Sequence, residues 1–253
     1  VALLSFAWAL TMLGMPARSE GATELSRTLP PSTWVALSPL PNQGQRASSA
    51  LGVNPFDNQF VLAGRSDGAL MRSADGGSTW KVAHGAGAPI QTIAFSPTKT
   101  GFVLAGLGGL RGGGALASQD GGLSWGPVSG LDGRSVRAFG FALTLVLAGT
   151  DRGVYVTADG LAWRPSGLST TSIGALTVSA IHDPVRVVAG SNLPSRSGVP
   201  LFQSTDGGVT WLTLKTGLTG KLVSSLTAGH LPPASTSRPL GVGTKTGRLT
   251  YAD

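Results

Sequence analysis

Short apolar runs recur along this chain at nearly constant intervals. Four of them share the order valine, aliphatic residue, alanine, glycine, and they begin at Val61, Val103, Val146 and Val187, which are 42, 43 and 41 residues apart. An apolar run that ends in glycine is typical of a buried strand followed by a tight turn. A repeat of about 40 residues predicts stacked supersecondary units that each contain such a strand.

A polar turn pattern repeats in phase with these strands. It contains a serine or threonine, an aspartate two residues later, one or two glycines and a closing tryptophan. Its recurring residues are Ser73, Asp75, Gly77 and Trp80; Ser118, Asp120, Gly122 and Trp125; Thr157, Asp159 and Trp163 in a shortened copy; and Ser204, Asp206, Gly208 and Trp211. Glycines after aspartate supply the positive φ angles of a tight hairpin, and the carboxylate accepts backbone N–H groups within the turn. We expect each tryptophan to pack between adjacent sheets, with its indole N–H on a backbone carbonyl.

Further apolar runs and turns indicate four antiparallel strands per unit, the pattern of a β-propeller blade. The turns resemble the Asp-box, also called the BNR repeat, and the chain resembles members of that propeller superfamily over residues 32–253. The predicted fold class is therefore all-β, with five blades at 42–86, 87–130, 131–168, 169–217 and 218–253. A fragment of a six- to eight-bladed ring is the alternative.

Both ends of the repeat region bear on how such a ring closes. The last unit repeats the strand and turn from Leu240 onward but reaches only the aspartate of a fifth turn, Asp253. Near the other end, Trp34 follows a Ser-Thr pair, as Trp80 does, but no turn precedes it. We therefore predict that residues 32–38 supply the outermost strand of the last blade, which would remove the free sheet edge of an open ring.

Residues 1–22 are predicted to be a signal peptide. The segment from Val1 to Met15 is apolar apart from Ser5, Thr11 and Gly14, and a short segment with proline and alanine follows it. This order is that of an apolar h-region and a cleavage zone, although the basic n-region is missing, and a retained anchor is the alternative. The sequence predicts an exported protein, in the periplasm, secreted or at the cell surface.

Composition excludes several kinds of chemistry. The chain has no cysteine, which excludes disulfides, thiolate catalysis and cysteine-ligated metals. The histidines His84, His182 and His230 fall at non-equivalent places of different units, unlike a set of metal ligands. We predict neither a metal nor another cofactor.

The resemblance also raises the question of catalysis, because the superfamily includes sialidases, which use a tyrosine nucleophile with a glutamate partner. The glutamates here, Glu20 and Glu24, lie outside the predicted propeller, and the tyrosines are Tyr155 and Tyr251. The aspartates outside the turn pattern are Asp57, Asp67, Asp132, Asp151 and Asp183. These positions are typical of ordinary loops, although two carboxylates could still converge in space. We predict no catalytic residue, with a sialidase-like propeller that hydrolyses or binds glycans as the alternative.

Charge gives the remaining clue. Nineteen basic residues oppose twelve acidic ones, for a net charge of +7, and such an excess favours anionic partners. Several basic residues are expected at one rim of the propeller. At or near the starts of innermost strands these are Arg46, Arg134, Arg137 and Lys221, and in the turns between second and third strands they are Arg65, Arg111, Arg152 and Lys245. The candidate partner-binding residues are Arg65, Arg111, Arg152, Lys245, Arg46 and Arg137; an evenly basic, solvated surface is the alternative.

The sequence thus predicts a non-catalytic, extracytoplasmic propeller that presents a basic rim to a protein or to a polyanion. Nucleic acid is a poorer match because no dense basic run is present, and membrane contact is expected only through the leader. Photosystem assembly factors of the same superfamily are similar in architecture and charge. They act by binding an unassembled partner protein, so the resemblance implies a binding role without naming a partner.

Overall fold

Five antiparallel β-sheets follow one another along the chain in the computed structural model. The structure describes residues 48–109, 113–142, 144–179, 185–193, 200–214, 218, 221–228, 240–244 and 249–252. The predicted leader, 1–22, and the predicted closing strand, 32–38, lie outside the described residues. No helix among the described residues is long and apolar enough to cross a membrane.

Each of the first four sheets is a meander of four strands, and the last has three. Sheet 1 contains β1 (Ser48–Val53), β2 (Val61–Arg65), β3 (Ala69–Ser73) and β4 (Lys81–Gly85). Sheet 2 contains β5 (Ile90–Phe95), β6 (Val103–Leu107), β7 (Gly114–Ser118) and β8 (Gly126–Pro127). Sheet 3 contains β9 (Val136–Phe141), β10 (Val146–Thr150), β11 (Gly153–Thr157) and β12 (Arg164–Pro165). Sheet 4 contains β13 (Ile173–Ser179), β14 (Arg186–Ser191), β15 (Leu201–Ser204) and β16 (Leu212–Thr213), and sheet 5 contains β17 (Val223–Ala228), β18 (Leu240–Thr244) and β19 (Leu249–Ala252).

This architecture confirms the predicted all-β class and the predicted order of four strands per unit in the first four units. The valine–alanine–glycine runs are the second strands, and they are buried on both faces in sheets 1, 2 and 3. A strand buried on both faces is continuously apolar rather than alternating, which explains why these runs are visible in the sequence.

Alternation along the second strands directs their side chains into two different layers. Leu62 packs with residues of sheet 2 such as Ile93, and Leu104 packs with residues of sheet 3 such as Tyr155. Equivalent layers join sheet 3 to sheet 4 and sheet 4 to sheet 5. The hydrophobic core is therefore a series of layers between consecutive sheets.

The innermost strands β1, β5, β9, β13 and β17 contact one another in that order, as in a propeller. An equally extensive contact between β17 and β1 is not found among the described strands. The structure therefore shows a run of five blade-like sheets, while closure of the ring stays a prediction.

The tryptophans of the repeated turns lie in these layers. Trp163 of sheet 3 is 6% exposed and packs with Phe102 and Leu104 of sheet 2. Trp125 and Trp211 are half-buried in the preceding layer and the following layer. The prediction that the tryptophans pack between adjacent sheets is confirmed for these three residues.

Replacing Trp163 by alanine is expected to open a void between sheets 2 and 3 and to lower the free energy of unfolding by about 3–5 kcal/mol. Leu123→Ala is the matched control, because the side chain of Leu123 is 62% exposed and its loss is expected to change stability by less than about 0.5 kcal/mol. Urea denaturation of both variants would check this. Equal losses in the two would contradict a layer stabilised by the tryptophan.

Candidate functional site

The repeated turns between third and fourth strands are closed by one hydrogen-bond network. In the first turn, the Ser73 hydroxyl donates to Asp75 Oδ1 at 2.7 Å and accepts the backbone N–H of Gly77 at 2.8 Å. Asp75 also accepts the backbone N–H and the hydroxyl of Thr79, at 2.8 and 2.6 Å. The indole N–H of Trp80 donates to the carbonyl of Gly77 at 3.0 Å. These bonds confirm the predicted chemistry of the turn.

The shortened third turn keeps this network with one glycine fewer. The Thr157 hydroxyl donates to Asp159 at 2.7 Å and accepts the N–H of Gly160 at 3.1 Å, and the Trp163 indole donates to the Gly160 carbonyl at 3.2 Å. Gly160 has a φ of 80° and therefore takes the place of the second glycine of the longer turns. A Cβ there would lie 2.3 Å from the Phe102 ring of sheet 2, so this turn also requires glycine for space.

The turn network holds all four aspartates ionised. The pKa of Asp75 falls from 3.8 to about 2, first because Thr79 donates its hydroxyl and its backbone N–H to the carboxylate, and next because of Ser73. Asp120 and Asp206 have pKa values lowered to about 2 in the same way, chiefly by Ser124 and Thr210. For Asp159, the backbone N–H groups of the following residues are the main cause of a pKa of about 2.

At the opposite end of the sheets, a β-bulge interrupts every innermost strand at the same level. The register against the second strand shifts once in each sheet. The extra residues are Ser49, Gln91, Arg137, Gly174 and Ser224. Bulges of this kind redirect a side chain and are frequent at the rims of sheets. We call this end, with the turns between second and third strands, the bulge rim.

Side chains of the bulge rim connect neighbouring sheets. The Ser49 hydroxyl of sheet 1 donates to the carbonyl of Ile90 in sheet 2. The Ser135 hydroxyl, beside β9 in sheet 3, donates to Gln91 Oε1 in sheet 2 at 3.0 Å. Arg137 Nη1 donates to the Ser172 hydroxyl, just before β13, at 3.1 Å. Polar contacts thus run along the rim from sheet 1 to sheet 4.

Three arginines stand on the rim of sheet 3. Arg134 Nε donates to the Tyr155 hydroxyl at 3.0 Å, so this guanidinium is held on the side facing sheet 2. Arg137 is held toward sheet 4 by Ser172, and Arg152 is exposed in the turn between β10 and β11. Within the described part of the chain, none of the three forms an ion pair. Neutral partners orient Arg134 and Arg137 without offsetting their charge.

The other predicted rim residues differ in their placement. Arg46, Arg111 and Lys245 lie outside the described residues. Arg65 occupies the predicted turn of sheet 1, but its side chain is only 5% exposed and it forms an ion pair with Asp67 at 3.2 Å. Arg65 therefore does not present its charge to solvent as we expected, and we leave it out of the exposed arginine set.

Charge is unevenly distributed between the two ends of the described sheets. The strand order places five basic and three acidic residues at the bulge rim: Arg65, Arg134, Arg137, Arg152 and Lys221 against Asp67, Asp132 and Asp151. Five basic residues balance five acidic ones at the opposite end: Arg72, Lys81, Lys99, Arg164 and Arg186 against Asp57, Asp75, Asp120, Asp159 and Asp206. The excess of positive charge among the described residues therefore belongs to the bulge rim.

The remaining aspartates take part in local turn structure. Asp57 accepts the N–H of Gln59 at 3.0 Å, and Asp151 accepts the N–H of Ser135 at 2.9 Å. Asp67 accepts the N–H of Ala69 besides its bond to Arg65, whereas Asp183 lies outside the described residues. In the described part of the chain, no three histidine, cysteine or acidic side chains are grouped closely enough to hold a metal ion.

Several of these features had no signal that we could interpret in the sequence alone. Arg137 and Arg152 were recognised as basic residues, but Tyr155 and Ser172, which orient the rim arginines, were not predicted to contact them. Ser172 directly precedes the apolar run of β13, so its position could have been predicted, but not its partner.

Comparisons with known proteins address the fold more than the site. No family model matches the chain. The oligoxyloglucan-reducing end-specific xyloglucanase of Emericella nidulans is 36% identical over 95 residues, which are 35% of this chain and 11% of that protein. The chain thus spans about a tenth of the length of this relative.

Solved structures of similar fold include an ancestral GH74 enzyme and YCF48 bound to D1 peptide. The GH74 enzyme has a TM-score of 0.61 and 19% identity, over 80% of this chain and 32% of the other. The YCF48 structure has a TM-score of 0.61 and 14% identity, over 88% of this chain and 69% of the other. At these identities the likeness concerns the fold alone, and it agrees with a β-propeller architecture.

The lowered pKa values predict loss of stability in acid. Between pH 4 and 2 the unfolded chain binds protons at aspartates that stay ionised in the folded turns, so folding is weakened as pH falls through this range. Above about pH 5 these groups are ionised in both states, and their stabilisation is fully present. Urea midpoints measured across this range are expected to fall with decreasing pH.

Asp206→Asn removes one of the four titrating groups and should make the decline with pH shallower, because its turn no longer changes charge. Asp132→Asn, at an exposed position outside the turns, is the matched control. If the two variants follow the same curve, the turn aspartates are not the source of the acid sensitivity.

Proposed function

We propose that this protein is a binding module that holds an anionic segment of a partner protein at its bulge rim. The observation that carries this proposal is the trio Arg134, Arg137 and Arg152 on the rim of sheet 3, none of them in an ion pair within the described residues. The proposal narrows the rim predicted from the sequence to one sheet.

The hydrogen bonds of two of these arginines favour binding of carboxylates. A guanidinium carries five N–H donors in a planar arrangement, and Arg134 and Arg137 each use one for a neutral side-chain oxygen. The other donors remain for a ligand, and the neutral partner restricts the side chain in advance. Such preorganisation reduces the entropy lost on binding.

The turn aspartates support the same conclusion from the other end of the sheets. Their low pKa values keep them negatively charged at neutral pH. Because the chain reverses direction at each turn, these carboxylates lie at the far end of the sheets from the bulge rim. An anionic partner is therefore attracted to one end and not to the other.

A structural neighbour gives general support for a protein partner. YCF48 has been solved with a D1 peptide bound, and it shares its fold with this chain over most of the length. We also propose that the four turns are Asp-boxes, that the domain extends over residues 32–253, and that the protein is exported by its leader at 1–22. These assignments are supported by the turn chemistry and by the apolar leader sequence.

The test is a charge-matched pair of triple variants. Changing Arg134, Arg137 and Arg152 to glutamine is expected to weaken binding of fluorescent poly-L-glutamate at least about tenfold at low salt and to flatten its salt dependence. Changing Lys81, Lys99 and Arg164 to glutamine removes the same charge from the opposite end and should have a much smaller effect. Equal effects of the two variants, or no binding by the wild type, would show that the rim proposal is wrong.

A glycan-directed role is the second candidate. It is favoured by the 36% identity to a xyloglucanase over 95 residues. Xyloglucan oligosaccharides incubated with the protein would be followed for new reducing ends and for binding by calorimetry. Release of reducing ends that is lost in Asp132→Asn or Asp151→Asn, the unpaired rim aspartates, would favour this candidate over the first.

We further propose that residues 32–38 form the missing fourth strand of sheet 5. The proposal is supported by the three-stranded sheet and by the likeness of the segment around Trp34 to the one around Trp80. Because the chain has no cysteine, pairs of cysteines can be introduced one at a time between 33–37 and 249–252. Rapid disulfide formation for one register is the expected result, and its absence in all registers would contradict the closure.

A further inference from the structure

The bulge rim changes character at sheet 4. In sheets 1, 2 and 3 the extra residue of the bulge is Ser49, Gln91 or Arg137, and each has a side-chain hydrogen bond to a neighbouring sheet. In sheet 4 the extra residue is Gly174, which has no side chain to make such a bond. The row of polar contacts therefore stops at the boundary between sheets 4 and 5.

The side chain of Asn192 occupies the space above Gly174. A Cβ on Gly174 would lie 2.5 Å from Asn192 Cβ, 3.2 Å from Asn192 Cγ and 2.9 Å from the carbonyl oxygen of Val223 in sheet 5. The backbone N–H of Asn192 donates to the Ser172 carbonyl at 3.1 Å. Since the Ser172 hydroxyl accepts from Arg137, Asn192 and the rim arginine meet on the same residue.

Two polar atoms at this boundary lack hydrogen bonds. Asn192 Oδ1 and Ser224 Oγ are both buried, and neither has a partner in the part of the chain that the structure describes. Both residues are otherwise half-buried at the surface of the rim. A buried acceptor without a donor destabilises the folded state, so such a group in a native protein needs an explanation.

We infer that Asn192 and Ser224 form a docking point for the main chain of an acidic peptide, next to Arg137. This inference rests on the proposed function and names the chemistry of its ligand. A peptide unit presents an N–H donor beside a carbonyl acceptor, which complements the Asn192 carbonyl oxygen and the Ser224 hydroxyl. An acidic side chain on the same segment would reach the Arg137 guanidinium, which has donors left beyond its bond to Ser172.

The ligand-free and bound states then differ at Asn192. In the free protein the amide oxygen is turned inward over Gly174 without a donor, and in the bound state rotation of this half-exposed side chain brings it to the peptide N–H. Binding therefore relieves an unfavourable arrangement as well as forming a contact. Asn192 stabilises the complex and not the free fold, and this separates its role from that of a structural residue.

The experiment compares three polymers that differ in their hydrogen-bond donors. Poly-L-glutamate carries carboxylates and backbone N–H groups, polyacrylate carries carboxylates without N–H groups, and polygalacturonate carries carboxylates with hydroxyls. Each is titrated into the full chain, as wild type, Asn192→Ala, Ser224→Ala and the control Asn58→Ala. Asn58 is exposed between β1 and β2, at the end of the sheets opposite the bulge rim.

Asn192→Ala is expected to weaken binding of poly-L-glutamate about fivefold to tenfold, the effect of one lost hydrogen bond, and to leave polyacrylate binding unchanged. Ser224→Ala should act in the same direction, whereas Asn58→Ala should have no effect. The melting temperature of Asn192→Ala is expected to equal or exceed that of the wild type, because a buried acceptor without a partner has been removed.

Other results would overturn the inference in distinguishable ways. If the wild type binds poly-L-glutamate and polyacrylate but Asn192→Ala changes neither, the main-chain docking point is wrong and the arginine rim stands. An equal loss for poly-L-glutamate and polygalacturonate would replace the peptide by a hydroxyl-bearing polyanion. If the wild type binds none of the three, the proposed function is wrong, and this inference falls with it.

Discussion

The structure depends on the hydrogen-bonded turn between the third and fourth strands of each blade. One aspartate accepts several N–H and O–H groups of its own turn, and this fixes where the chain leaves the turn. The tryptophan that follows is held by its indole N–H on a glycine carbonyl of the turn. Its ring then packs between two sheets, so a local network of polar bonds determines the distance and orientation of neighbouring blades.

The glycines of the turns connect the same network to packing. Gly122 has a φ of 89°, and a Cβ there would lie 2.9 Å from Leu62 of the preceding sheet. Positive φ and close approach therefore make the same demand on this position, and only glycine meets both. The leucine it approaches belongs to the recurring apolar strand, which explains why the strand and the turn repeat in phase.

The two ends of the sheets have different tasks because their polar groups are used differently. At the turn end, carboxylates are satisfied by donors of their own hairpin and stabilise the fold. At the bulge rim, the extra residue of each innermost strand reaches across to a neighbouring sheet, and the arginines of sheet 3 are oriented by neutral oxygens. Groups at the first end are saturated by the protein itself, whereas those at the second retain donors and acceptors for a partner.

The sequence by itself determined the all-β class, the interval of the units, the chemistry of the turns and the placement of rim arginines such as Arg137 and Arg152, because each depends on residues close together in the chain. It could not show that Arg65 is buried against Asp67, since the same Arg and Asp two residues apart are equally compatible with an exposed turn. Nor could it show the bulges, which are a matter of register between strands, or the meeting of Arg137, Ser172 and Asn192. Those features were decided by tertiary structure, because packing sheet against sheet brings together residues that are 20 to 55 positions apart in the chain.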